Sequence, residues 1–154
     1  MTRSNKLPIT FYAVLAAGLL TLAAIADHHI DVEYAEQMPL AKDSLLLDIT
    51  RTGDTLVAVG ERGHVLTSTD GETWVQAEHV PTRSTLTTVY STGKRIWAGG
   101  HDAVILTSSN KGKTWTQEFF DPDRQQAVMD IHFFDENNGI AIGSYGLYMR
   151  TSDG

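Results

Sequence analysis

The sequence predicts an all-β protein whose architecture is a β-propeller of four-stranded blades. Two observations carry this prediction. A segment of about 40 residues recurs along the chain, with Ser68, Ser108 and Thr151 at equivalent places. Each copy contains short runs of β-branched and apolar residues separated by Gly, Asn or Asp, the pattern of strands joined by tight turns. Four short strands in a repeat of this length indicate a propeller blade, and the chain holds about 2.5 to 3 of them.

The predicted strands follow the same order in the first two repeats. The first repeat predicts strands at 46–50, 55–59, 64–67 and 73–78, and the second at 86–90, 95–98, 103–107 and 114–119. Residues 34–41 are ambiguous, because they contain Pro39 and show no clear period. We therefore assign 44–154 to an incomplete propeller.

Each repeat reaches the same kind of turn, near 68–74, 108–115 and 151–154, and the second copy has the full pattern S-x-[DN]-x-G-x-T-W. An Asp or Asn side chain accepts hydrogen bonds from backbone N–H groups just ahead of it, and glycine adopts the left-handed conformation at little cost. We expect a structural role for these turn residues, not a carbohydrate or metal site. They are Ser68, Asp70, Gly71, Thr73 and Trp74, then Ser108, Asn110, Gly112, Thr114 and Trp115, then Thr151, Asp153 and Gly154.

The first 26 residues are predicted to be a signal peptide. Arg3 and Lys6 precede an apolar run that ends in Ala24-Ile25-Ala26, a pattern typical of a cleavage site. The alternative is a retained N-terminal anchor, because about 20 apolar residues can span a bilayer. The mature chain is expected to be exported, to the periplasm, the thylakoid lumen or the medium. Residues 27–43 form an N-terminal segment that could pair with the last blade.

The composition excludes several classes of protein. There is no cysteine, which excludes disulfides, thiolate metal sites and thiol nucleophiles. The formal net charge is −7, from 12 Lys and Arg against 19 Asp and Glu. Because nucleic-acid binding needs a basic surface, we do not expect this to be the main function. Beyond the N-terminal signal or anchor, we expect no integral membrane domain.

The turns resemble the Asp-box, or BNR, repeat, and a wider string points to one family that uses it. Residues 44–49, 57–64 and 100–106 are similar to the photosystem II assembly and stability factor family, especially through Gly100-His101-Asp102-Ala103. The resemblance implies a seven-bladed propeller that acts as a non-catalytic extracytoplasmic scaffold. The implied partner is a membrane-protein assembly intermediate, that of photosystem II in a phototrophic host, or another extracytoplasmic protein.

The repeat count also bears on length. A closed propeller needs at least four blades, so we expect the chain to be the N-terminal part of a protein about twice as long. The alternative is a short form that closes the ring by oligomerising.

A second functional interpretation is a secreted Asp-box glycosidase or a glycan-binding propeller of the sialidase kind. The early Arg-Ile-Pro string usual in sialidases is absent from this sequence.

The resemblance implies an arginine-bearing partner surface, for which we select Arg62, Arg83 and Arg95. Arginine forms forked contacts with carboxylates, and these three fall in or beside predicted loops, as do Arg51 and Arg124. Of these arginines only Arg62, in Gly60-Glu61-Arg62-Gly63, matches a family string. Solvated strand ends are the alternative explanation.

No catalytic residue and no cofactor is expected. His64, His101 and His132 are predicted to be structural, and the adjacent pair His101-Asp102 makes a poor acid-base dyad because strand neighbours point to opposite faces. No metal site is expected either. One alternative stays open: cleavage after Ala26 would place His29 third in the mature chain, where the amino terminus and an imidazole can hold Cu(II) or Ni(II).

Overall fold

The computed structural model describes residues 32–154, which form eleven β-strands in three antiparallel sheets. The first sheet contains β1 (Leu46–Thr52), β2 (Thr55–Gly60), β3 (Val65–Ser68) and β4 (Val75–Gln76). The second contains β5 (Leu86–Ser91), β6 (Ile96–Gly100), β7 (Ile105–Ser108) and β8 (Thr116–Phe119), and the third contains β9 (Val128–Phe133), β10 (Gly139–Gly143) and β11 (Tyr148–Thr151). Short 3-10 turns occupy Ala41–Asp43, Glu61–Gly63, His101–Ala103, Pro122–Arg124 and Ser144–Gly146.

Each sheet is a meander in which consecutive strands are neighbours, and the prediction of an all-β, blade-like architecture is confirmed. The predicted signal peptide (1–26) and His29 lie outside the described residues. Within residues 32–154 no helix combines the length and the apolar character needed to cross a membrane. The strands match the predicted ones within a few residues. The largest difference is β4, which has two residues where six were predicted at 73–78.

The meander gives every sheet two distinct ends. The loop end carries the connections between the second and third strands and the entry into the first strand. The box end carries the Asp-box turns and the hairpins between the first and second strands.

The first strands of successive sheets pack side by side, as the inner strands of a propeller do. The Val89 N–H donates to Asp48 Oδ2 over 2.8 Å, which joins β5 to β1. The Tyr90 hydroxyl donates to the Phe133 carbonyl over 3.1 Å, which joins β5 to β9. All three inner strands carry a register shift two residues from their start, so they twist alike.

Two apolar clusters hold the sheets together. Between the first and second sheets lie Val57, Val59, Leu86 and Trp115, among others. Between the second and third sheets lie Trp97, Val128, Ile131, Phe133, Ala141 and Leu147. The rings of Trp97 and Phe133 stack at 3.7 Å between centroids with an interplanar angle of 20°. Burial alternates along β1 and β8, whereas β2 and β6 are buried along nearly their whole length because they lie in the middle of their sheets.

A glycine closes the loop end of every sheet. The second strands end at Gly60, Gly100 and Gly143, in extended backbone, and a Cβ there would collide with a backbone carbonyl just before the first strand of the same sheet. Glycine is therefore required here because two backbone segments are in close contact, and not because the backbone is left-handed. This contact brings the start of each inner strand against the second strand.

The N-terminal segment lies along the outer edge of the first sheet. The Ala35 N–H donates to the Val80 carbonyl over 2.9 Å, and Gln37 Nε2 donates to the Ala77 carbonyl over 2.7 Å. The Gln76 side chain bonds the segment twice, accepting from the Met38 N–H (2.9 Å) and donating to the Glu36 carbonyl (2.8 Å). The described part of the segment thus contacts the first blade, while its pairing with a last blade stays a prediction.

The first Asp box is held by side-chain to backbone hydrogen bonds. Asp70 Oδ1 accepts from the N–H groups of Thr73 (2.7 Å) and Glu72 (2.8 Å), and Ser68 Oγ accepts from the Gly71 N–H (2.9 Å). The N–H groups of Thr73 and then Glu72, with the Ser68 hydroxyl, hold the pKa of Asp70 far below its usual range. The carboxylate is therefore occupied within the turn.

The second box uses an amide and one more residue. Asn110 Oδ1 accepts from the Thr114 N–H (3.0 Å), and Asn110 Nδ2 donates to Thr114 Oγ1 (2.7 Å). The additional residue, Lys111, has φ 59° and is followed by Gly112 with φ 82°. Lys111 also reaches Asp54 of the first sheet, with 2.7 Å between Nζ and Oδ1. The third box, at Thr151 to Gly154, repeats the hydroxyl contact, since Thr151 Oγ1 accepts from the Gly154 N–H over 3.0 Å.

The two box tryptophans make the same local bond in different surroundings. The indole N–H of Trp74 donates to the Gly71 carbonyl (3.2 Å), and that of Trp115 donates to the Gly112 carbonyl (2.9 Å). Trp115 is 6% exposed because it lies between two sheets. Trp74 is only half-buried, because it lies on the face of the first sheet that no other described sheet covers.

Buried His64 joins the N-terminal segment to the loop end. Ser44 Oγ lies 2.6 Å from the Ala41 carbonyl, to which it donates, and 2.9 Å from His64 Nδ1. Nδ1 must then carry the imidazole proton and donate to Ser44. Nε2 is buried and has no hydrogen-bond partner among residues 32–154. Burial lowers the pKa of His64, Glu61 raises it, and Arg62 lowers it further.

Replacing the buried indole should cost far more stability than replacing the half-buried one. Trp115→Ala is expected to lower the free energy of unfolding by about 3–5 kcal/mol, the usual cost of emptying a large aromatic site. Trp74→Ala, the matched variant, should cost roughly 1 kcal/mol, because it removes less buried area. Urea denaturation followed by circular dichroism measures both. Equal losses for the two variants would contradict the inter-sheet role of Trp115.

Acid should weaken the fold through His64. Because the folded pKa lies below the unfolded value of about 6.5, the unfolded state binds the proton first. Stability is then full above about pH 6.5 and falls as the pH drops toward the folded pKa, by at most about 1.4 kcal/mol per pH unit. His64→Leu should remove this loss, because Leu147 occupies the equivalent site of the third sheet with 4% exposure.

Denaturation at a series of pH values between 5 and 8 measures the effect of His64→Leu. The control is His101→Asn, which removes an exposed histidine from the equivalent loop of the second sheet, so that an equal change in both variants would indicate a general effect of losing a histidine. An unchanged acid dependence in His64→Leu would show that another group causes it.

Candidate protein-binding surface

The loop end presents three tight loops of one geometry. They are Glu61–Gly63, His101–Ala103 and Ser144–Gly146, each between the second and third strands of its sheet. The middle residue of each is left-handed, with φ 57° at Arg62, 59° at Asp102 and 53° at Tyr145. Because the same backbone recurs, the three side chains leave equivalent positions of neighbouring sheets.

Backbone hydrogen bonds fix these loops to the starts of the inner strands. Glu61 donates to the Leu45 carbonyl over 3.0 Å and His101 donates to the Thr85 carbonyl over 2.9 Å. Ser144 makes the same bond to the Ala127 carbonyl over 2.9 Å. These bonds lie beside the glycine contacts described above, so the loops are part of the sheet framework. Side chains on them are presented from a rigid base, as protein recognition favours.

The three loop-tip side chains differ in their exposure and in their contacts with the rest of the chain. Arg62 is exposed, and Nη1 lies 3.8 Å from Met38 Sδ. Tyr145 is 89% exposed. Asp102 is half-buried and accepts a hydrogen bond from Ser84 Oγ over 2.6 Å. Arg62 and Tyr145 are therefore the tip residues most accessible to a partner.

Two further arginines at the loop end are paired with carboxylates. Arg83 forms an ion pair with Glu36 of the N-terminal segment. Arg124 Nε lies 2.7 Å from Asp121 Oδ2, and its guanidinium carbon lies 5.6 Å from the ring centroid of Phe119. Both pairs are partly exposed, and such pairs contribute little to stability. A partner carboxylate could exchange with either acidic side chain.

Arg95 lies at the opposite end of the molecule from Arg62 and Arg83. It follows the hairpin between β5 and β6, where its guanidinium carbon is 5.7 Å from the ring centroid of Trp97. Its Nη1 lies 3.4 Å from the Gly154 carbonyl oxygen. Arg51 also lies at the box end, where Nε donates to the Gly53 carbonyl over 2.9 Å. The structure thus brings Arg62 and Arg83 to one end and separates Arg95 from them.

The histidines do not form an acid-base pair with the neighbouring carboxylate. His101 is exposed, while the Asp102 carboxylate is directed to Ser84. His132 is exposed on β9, with its ring centroid 5.4 Å from that of Tyr90 and 5.1 Å from that of Phe134. Over residues 32–154 no three His, Asp or Glu side chains come together as a metal site would require.

Asp102 and Tyr145 were not selected from the sequence, although the signal was present. Both occupy the position of Arg62 in the aligned strings that start at Gly60, Gly100 and Gly143. Alignment of the repeats was sufficient to find them. Selection by residue type instead favoured arginines, which the topology divides between the two ends.

Comparison with known proteins gives one consistent result. Residues 84–152 match the family model described as photosynthesis system II assembly factor YCF48. A curated relative, the chloroplastic photosystem II stability/assembly factor HCF136 of Oryza sativa subsp. japonica, is 28% identical over 61 residues, which are 40% of this chain and 15% of the relative.

Two solved structures share the fold. YCF48 from Cyanidioschyzon merolae superposes with a TM-score of 0.61 and 24% identity, over 78% of this chain and 39% of that one. A structure described as YCF48 bound to D1 peptide gives 0.62 and 22%, over 79% of this chain and 40% of that one. The chain thus spans well under half of the length of these relatives.

The fold likeness to YCF48 agrees with the family-model match to residues 84–152, which span the second and third sheets. The family model and the rice relative confirm that this chain resembles the photosystem II assembly factor family, and the solved structures confirm the fold.

Proposed function

We propose that the chain is a non-catalytic scaffold that binds a segment of a photosystem II membrane protein during assembly. The observation that carries the proposal is the match of residues 84–152 to the assembly factor model, which covers all of the second and third sheets. One of the similar structures is described as bound to D1 peptide, so a D1 segment is the partner to test first. The non-catalytic part of the proposal is supported by the descriptions of the relatives, which are assembly factors.

The loop end is the surface that we propose for this contact. Its three tips project from backbone fixed by hydrogen bonds, and loops on a rigid scaffold are where binding residues concentrate. Arg62 supplies an exposed guanidinium for carboxylate or carbonyl groups of a peptide. Arg83 supplies a second guanidinium that the partner would take over from Glu36. Tyr145 adds an exposed aromatic ring of the kind enriched in interfaces.

Charge reversal at the loop end tests this surface. Arg62→Glu should weaken binding of a D1 peptide at least about tenfold, because it replaces an attractive charge by a repulsive one. Isothermal titration calorimetry with the full chain gives the dissociation constant. The matched control is Arg51→Glu at the box end, which introduces the same charge change and should leave the affinity within about twofold.

Equal loss of affinity in both variants would indicate a nonspecific effect of net charge, and no loss in either would remove the loop end from the proposal. If wild-type chain fails to bind any D1 segment, the proposed partner is wrong. Capture of a glycan in a parallel array would favour the glycan-binding alternative instead.

We further propose that the mature protein acts outside the cytoplasm. The proposal is supported by the N-terminal sequence, with two basic residues, an apolar run and Ala24-Ile25-Ala26. Mass spectrometry of the protein recovered from an exporting host should find Asp27 as the first residue. Recovery of uncleaved chain from the membrane fraction would support the anchor, and uncleaved chain in the cytoplasm would contradict export.

A further inference from the structure

Residues 34–38 of the N-terminal segment form a strap over the connection between the first two sheets. The ring centroid of Tyr34 lies 6.4 Å from that of His79, at an interplanar angle of 81°. The Ala35 side chain packs on the apolar cluster between these sheets, and a Cβ at Gly63 would lie 3.3 Å from its Cβ. The strap is therefore seated on residues of the first sheet and of its connection to the second.

The strap contacts two arginines at the loop end. Glu36 forms an ion pair with Arg83, and Met38 Sδ lies 3.8 Å from Arg62 Nη1. These are the two guanidinium groups that the proposed function assigns to contact with a partner. The strap thus occupies, within the chain itself, part of the surface that a partner would contact.

The attachment of the strap depends mainly on side chains. Most of its hydrogen bonds to the first blade use the side-chain amides of Gln37 and Gln76. The ion pair between Glu36 and Arg83 is exposed, with 65% and 45% of the two side chains accessible, and exposed pairs contribute little to stability. The conformational entropy of the ordered backbone opposes these contacts. A segment held in this way opens locally while the sheets stay folded.

We propose that the strap is an intramolecular competitor, which covers Arg83 until a carboxylate-bearing partner segment displaces it. This inference rests on the proposed function, because it concerns regulation of the loop-end surface. Glu36 presents to Arg83 the same chemical group as an acidic side chain of a peptide, and one guanidinium cannot make the same forked contact with both. By linkage, the factor by which opening of the strap raises partner affinity equals the factor by which the partner raises opening.

Arginine labelling tests the strap without any partner. Phenylglyoxal modifies accessible guanidinium groups, and mass spectrometry of the digested protein gives the rate at each arginine. Glu36→Gln should speed modification of Arg83 about two- to fivefold, the range expected for loss of one exposed ion pair, and leave Arg51 at the box end unchanged. The matched control is Glu33→Gln, the same change of charge three residues earlier, which should leave the rate at Arg83 as in wild type.

Binding and hydrogen exchange test the competition itself. Glu36→Gln should tighten binding of the D1 peptide about two- to fivefold, and the gain should vanish when Arg83→Gln is also present, because the two residues act through one contact. In the wild-type chain, saturating D1 peptide should speed hydrogen exchange several-fold at the Ala35 N–H, which is bonded to the Val80 carbonyl. The amides of β2 should keep their exchange rates.

The outcomes separate this inference from the proposed function. Faster labelling of Arg83 in Glu36→Gln, without binding of any D1 peptide, would support the strap and reject the D1 proposal. An unchanged labelling rate would overturn the strap. So would D1 binding with equal affinity in wild type and Glu36→Gln, or with unchanged exchange at Ala35, and the D1 proposal would then stand without it.

Discussion

Close contact between two backbone segments at the loop end determines much of this structure. In each sheet the glycine that ends the second strand lies against the carbonyl that precedes the first, at Gly60, Gly100 and Gly143. The contact places the following loop directly over the start of the inner strand, where the N–H of its first residue finds a carbonyl acceptor. Inner-strand packing and loop presentation therefore depend on the same three glycines. A side chain at any of them would separate the surface proposed for binding from the sheet that supports it.

Most of the fold could be predicted because the same pattern of strands and turns occurs three times in the sequence. Strand order, box turns and the number of sheets follow from period-two patterning and from Asn, Asp and Gly at fixed places. The start of β4 was predicted two residues too early, because Asp70 holds the N–H groups of Glu72 and Thr73 within the turn. Strand propensity does not include this competition between side-chain hydrogen bonds and the hydrogen bonds between strands.

Less of the candidate site could be predicted, since a site depends on which ends of the strands meet. Arg62, Arg83 and Arg95 were selected as one surface, but the meander places Arg95 at the box end against Trp97. The pairing of Arg83 with Glu36 depends on the course of the N-terminal segment, which shows no periodic signal. The tautomer of His64 likewise depends on a contact that the sequence does not show, the hydrogen bond from Ser44 to the Ala41 carbonyl.

The left-handed loop tips have an implication for how such a surface changes over evolutionary time. Arginine, aspartate and tyrosine occupy the same φ region at Arg62, Asp102 and Tyr145, so one backbone shape accepts a cation, an anion and an aromatic ring. Among residues with a Cβ, Asp and Asn adopt this conformation most readily and β-branched residues least, and its strain is carried by the surrounding backbone bonds. Exchange among unbranched residues should therefore cost little folding free energy at Arg62 and Tyr145, and more at Asp102, whose carboxylate accepts a hydrogen bond from Ser84. The proposed binding surface at the loop end can therefore change one blade at a time, because each tip residue can be replaced independently of the other two.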